Sequence, residues 1–212
     1  MNLSLNISDA ISKGWSASKK NWIVLIGIFL SYIILSLLIE VMFSFKPGIY
    51  YIIAITIAMI FNTGLFKMLL ESFKGNEPDF SVFKTMLNRV IPFTISNILC
   101  ALIFGIGLIL LIIPGIYLAS RLSMVLFLII DKPQISITEA FKESWNMTKG
   151  NVGNILLLFL IYIGIIILGL IAFFVGVFFS YVVVYYISAA VYFQLKNNYE
   201  NNLENNNNII NE

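Results

Sequence analysis

LILLIIPGIYLASRLSMVLFLIID, Leu108 to Asp131, is an apolar run that pauses at Pro114-Gly115 and then carries an arginine, Arg121, into oily surroundings. Between Arg89 and Asp131 no other charge occurs. A helical segment of about 41 residues covers roughly 60 Å, one trip across a ~30 Å hydrocarbon core and one back. Pro114-Gly115 is the expected outer turn, since proline cannot donate a backbone hydrogen bond and glycine takes strained angles. The stretch therefore predicts two membrane spans, 91–113 and 115–131.

Composition agrees. Apolar residues make up 59% of the chain, charged residues 11%, and the mean hydropathy is +0.93, more apolar surface than one soluble core can hide. The net charge of +2 is too small to suggest a nucleic-acid partner. There is one cysteine, Cys100, and no histidine, so internal disulfides, soft metal sites and imidazole chemistry are excluded. The apolar run from Trp22 is too long for a cleavable leader and no A-x-A-like site follows it.

Working outward, residues 7–21 place Ile7, Ile11, Trp15 and Ser18 on one helical face, followed by Trp22. This reads as an interfacial amphipathic helix anchored by tryptophan. Spans are expected over 22–45 and 48–71, turning at Lys46-Pro47-Gly48. A second amphipathic helix is expected over 79–90 and a third over 136–149, anchored by Trp145. Spans over 152–175 and 177–196, turning near Phe174 to Gly176, complete a single membrane domain, 1–196. The asparagine-rich end, 197–212, is expected to be disordered. The fold class is thus all-α, a bundle of six transmembrane helices in three hairpins, each preceded by a cytoplasmic amphipathic helix.

Ile7 to Leu30 aligns without gaps on Ile137 to Leu160, with Ala10/Ala140, Trp15/Trp145, Lys19/Lys149 and Asn21/Asn151 identical. The middle unit lacks the tryptophan but keeps the plan, which points to three copies of one module. Outside the spans, Lys and Arg gather on the side of the amphipathic helices, whereas Lys46 alone lies opposite. By the positive-inside rule both termini face the cytoplasm.

Arg121 lies roughly 10 to 15 Å from either surface by helical rise, where a charge needs a partner or a wet cavity. Glu40 is the only acid clearly inside a span, and a Glu40–Arg121 pair across spans one and four is the expectation. Two readings of Arg121 stand: a pin for the fold, or a site for a substrate or lipid headgroup. Asn62 with Thr63, and Ser96 with Asn97, add neutral polar groups that usually bridge helices. Small residues at Ala54 and Ala58, Ala101 and Gly105, and Ala172, Gly176 and Ser180 form packing faces. They would serve this bundle, a homodimer or a membrane-protein partner. No P-loop, metal cluster or nucleophile–base pair can be nominated, so catalytic residues, cofactors and metals are not expected.

At IIPGIYLASRLSMVLFLIIDK, at ITEAFKESWNMTKGN and at SAAVYFQLKNN the chain resembles a bacterial family of six-span membrane proteins of unknown function. That family includes the membrane domain attached to some glycerophosphoryl diester phosphodiesterases. The likeness runs to about residue 196 and rests on Pro114, Gly115, Arg121, Glu139, Ala140, Ser144 and Thr148 to Gly150. The soluble phosphodiesterase domain has no counterpart here, so the resemblance implies architecture and a bacterial cytoplasmic membrane, not catalysis. The expected role is a non-enzymatic membrane component, in homeostasis or as a transport accessory in contact with the lipid bilayer. The alternative is a small-solute or lipid transporter with a central site around Arg121, Glu40 and Asn62.

Overall fold

The computed structural model describes residues 4–43, 49–77, 79, 81–110, 112–171 and 173–210. Within them, the side chains of most of 22–54 and of 110, 112, 173–175 and 205–210 lie outside the description. The expected turn at Lys46-Pro47-Gly48 and the Trp22 side chain fall outside it.

The protein is all-helical, with no strand among the described residues. The helices are α1 (Ile7–Phe43), α2 (Ile49–Phe73), α3 (Ser81–Thr85), α4 (Val90–Leu110), α5 (Ile112–Leu122), α6 (Val125–Asp131), α7 (Ile137–Met147), α8 (Val152–Ile171) and α9 (Phe173–Ile210). Among the described residues, five segments are long and apolar enough to cross a membrane: Ile55–Phe73, Leu87–Ile109, Ile113–Asp131, Val152–Ile171 and Gly176–Glu204.

Local chemistry sets the ends. Asn6 caps α1, its Oδ1 accepting from the Asp9 backbone N–H at 3.0 Å. Ser136 and Glu139 form a reciprocal capping box at the start of α7. Gly75 and Gly150 adopt φ of +94° and +82° after α2 and α7, left-handed angles that favour glycine.

Several expected boundaries are corrected. Residues 7–21 are not a separate interfacial helix: α1 runs unbroken for 37 residues, because no glycine–proline pair or capping residue interrupts it near Trp22. Its first turns stand antiparallel against α9, with Asp9 beside Gln194 and Gly14 beside Ile187. The segment 79–90 is not one helix but α3, a 3-10 turn at Leu87–Arg89 and the start of α4. Pro114-Gly115 is not the turn. Both lie in the first turn of α5, where proline's missing N–H costs nothing. Gly115 instead lets α5 touch α4: a Cβ on Gly107 would stand 2.6 Å from the Gly115 Cα. Likewise, α8 ends at Ile171 and α9 has begun by Phe173, ahead of the expected turn at Phe174 to Gly176. The asparagine-rich end is not disordered through Ile210: it continues α9, since extending an existing helix avoids the cost of nucleation.

α2, α5–α6 and α9 form the interior. The apolar segments of α5–α6 and α9 are each 56% buried, against 22% for α4 and 17% for α8. Phe66 of α2, Phe127 of α6 and Tyr185 of α9 meet as an aromatic triangle with centroids 4.7 to 5.6 Å apart. The Tyr185 hydroxyl donates to the Phe66 carbonyl at 2.9 Å. These three helices run parallel, so their charged ends arrive together.

Candidate functional site

Arg121 closes α5, just before a break at Ser123–Met124 that separates it from α6. The hydroxyls of Ser120 and Ser123 fold back onto the carbonyls of Tyr117 and Ser120, at 2.7 and 2.8 Å, an alternative to regular helix bonding. α7 packs across this break. Ser144 Oγ donates to the Arg121 carbonyl at 2.8 Å, and the Thr148 hydroxyl reaches the same carbonyl at 3.3 Å.

The Arg121 side chain is sealed, with 4% of the residue exposed. Its guanidinium carbon lies 4.3 Å from the centre of the Trp145 ring and 5.9 Å from that of Tyr117, and Nη1 donates to Thr148 Oγ1 at 3.3 Å. Nε is buried with no hydrogen-bond partner. No carboxylate among the described residues lies within ion-pairing distance. Aromatic faces thus supply the compensation that an acid was expected to supply.

The other expected members are elsewhere. Glu40 is exposed and unpaired with Arg121, so the proposed ion pair does not form. Asn62 and Asn97 are also exposed; their neighbours Thr63 and Ser96 are buried instead, one residue on or back turning the side chain about 100° around the helix. Thr63 donates to the Met59 carbonyl at 2.8 Å. Of the expected anchors, Trp145 covers Arg121 and Trp15 meets Phe179 edge-on at 5.7 Å. The small-residue face at Gly176 and Ser180 is used inside the chain, against Gly169, and Ser180 Oγ donates to the Ile165 carbonyl at 2.9 Å.

A second polar centre was missed. The Asp131 carboxylate, whose side chain is 5% exposed, takes Lys74 Nζ on Oδ1 at 2.8 Å and Lys196 Nζ on Oδ2 at 2.6 Å. Tyr192 also donates to Oδ2, at 2.9 Å. Glu71 extends the network to Lys67 and Lys74 at 2.7 and 3.1 Å. Burial pulls the Lys74 ammonium down, but Asp131 and Glu71 outweigh it and hold the pKa above the ordinary 10.5. The available signal was that each partner lies near the end of an interior segment. Arg89 holds the same region by donating to the carbonyls of Ile129, Lys132 and Ile135, at 2.9, 3.3 and 3.1 Å from Nη2, which caps the end of α6.

No group of three metal-binding side chains occurs among the described residues. No family model, curated protein or solved structure matches the chain.

Proposed function

We propose that this is a non-enzymatic, multi-pass protein of a bacterial cytoplasmic membrane, with six spans in three hairpins and both termini in the cytoplasm. It acts through helix packing and lipid contact, as a membrane-homeostasis or transport-accessory component. The observation that carries the reading is the sealed, acid-free setting of Arg121: a cation stacked on Trp145 serves better as a pin between α7 and α5 than as a step on a solute path. Three aromatic contacts support the modular reading. Trp15 meets Phe179, Phe83 meets Phe61 and Trp145 meets Tyr117, so each segment that leads into an odd span leans on an even span of another hairpin.

The transporter alternative draws on one feature, the helix break beside a buried guanidinium with an unpartnered Nε. Two measurements on the same variants separate the readings: survival of a deletion strain under a membrane-active cationic peptide, and solute or lipid flux in proteoliposomes. The expected result is lost resistance on deletion, restored by the wild type and by Arg121→Met, with no saturable flux. Saturable flux abolished by Arg121→Met would replace the proposal with the transporter.

A further inference from the structure

The three aromatic contacts are not equally filled. Phe83 is pressed onto α2, where a Cβ on Gly64 would stand 2.3 Å from its ring. Behind Trp145 the space holds the Arg121 guanidinium. Behind Trp15 it stays open, as a groove of about 410 Å³ between α1, α8 and α9. Trp15, Ile161, Ile165, Leu168, Phe179 and Val183 line it, and Ser180, its only hydroxyl, is turned onto the Ile165 carbonyl.

Two of its walls, α8 and α9, are long and apolar enough to cross a membrane, so its surroundings are acyl chains. An apolar groove by itself gives no preference there, because lipid tails are as apolar as its walls. Selectivity needs a charge at the mouth. Lys19 supplies one: its ammonium lies 5.0 Å over the Trp15 ring, the side chain is exposed, and it forms no ion pair among the described residues. Trp15 therefore separates an apolar slot from an unneutralised cation, complementary to a molecule with a hydrocarbon chain at one end and a phosphate at the other.

We infer that this groove is a lipid seat that holds one acyl chain of an anionic phospholipid, with its headgroup phosphate on Lys19. The seat rests on membrane embedding and not on any particular activity.

The test uses the full chain carrying Trp22→Phe and Trp145→Phe, which leaves Trp15 as the only tryptophan of the original three. It is reconstituted into phosphatidylcholine vesicles containing either brominated phosphatidylglycerol or brominated phosphatidylcholine at equal mole fraction. Bromine quenches tryptophan on contact. The relative affinities should favour the anionic lipid roughly fivefold, which corresponds to the ~1 kcal/mol that one lysine contributes at an anionic headgroup layer. Lys19→Gln should erase the preference, while Lys84→Gln, at an exposed lysine of α3, should keep it. Leu168→Phe, at a groove residue that is 67% exposed and so tolerant of change, should weaken quenching by both lipids. Equal quenching by the two headgroups overturns the seat. So does a preference lost equally in Lys19→Gln and Lys84→Gln, or no quenching at all, as when a second copy covers the groove. Flotation with the vesicles checks embedding separately, so failure of the seat and failure of membrane insertion are told apart.

Discussion

The guanidinium carbon of Arg121 lies 4.3 Å from the centre of the Trp145 ring, and this contact joins α5 to α7. A desolvated cation over tryptophan contributes about 2 kcal/mol, whereas a buried charge without an acid costs several. The stack together with the hydrogen bond from Nη1 to Thr148 Oγ1 offsets most of that cost, which leaves the side chain's volume as the main contribution to stability.

Arg121→Met should therefore stay within about 1 kcal/mol of the wild type, and Arg121→Lys should cost about 2 to 3 kcal/mol, since an ammonium keeps the charge but loses the planar stack. Thermal unfolding in detergent gives the order. A lysine variant as stable as wild type, or a methionine variant well below it, contradicts the balance.

Asp131 serves two lysines at once, so its loss strands both. Removing one partner of a fully buried pair costs about 3 to 5 kcal/mol, but the Lys74 and Lys196 side chains are 33% and 20% exposed, and solvent lowers the expectation for Asp131→Asn to about 2 kcal/mol. A double-mutant cycle with Lys74→Met should show clear coupling. Additive effects would remove the network from the stability account.

Lys74 also carries a pH signature. Its folded pKa is raised above 10.5, so its contribution is complete below 10.5 and is lost as pH rises through the higher folded value. Above about pH 10.5 the unfolding temperature of the wild type should fall more steeply than that of Lys74→Met, which has no such contribution to lose, while at neutral pH the two slopes should match. Parallel curves throughout would count against it.

Gly14 permits the close approach of α1 to α9: a Cβ there would stand 2.6 Å from the backbone of Ile187. Gly14→Ala should cost about 2 kcal/mol by overpacking, and Gly164→Ala, with nothing within 4 Å of the added carbon, should change stability by less than about 0.5 kcal/mol. Equal tolerance at both positions would mean that α1 packs otherwise.

What the residue order determined alone was the class of the fold, because a run such as Leu108 to Asp131 can satisfy its backbone in lipid only as helix. It also singled out Arg121 as a charge in apolar surroundings and placed a helix over 136–149. Only the tertiary structure decided the partners. Hydropathy is a property of each residue, whereas a contact depends on helix rotation and crossing. Rotation turned Glu40, Asn62 and Asn97 outward, and placed Trp145 rather than an acid over Arg121. Crossing brought Lys74, Asp131 and Lys196, far apart in the chain, onto one carboxylate. Pro114-Gly115 shows the same division: its chemistry suits a turn and the first turn of a helix equally, and the close contact of Gly107 with Gly115 selected the second.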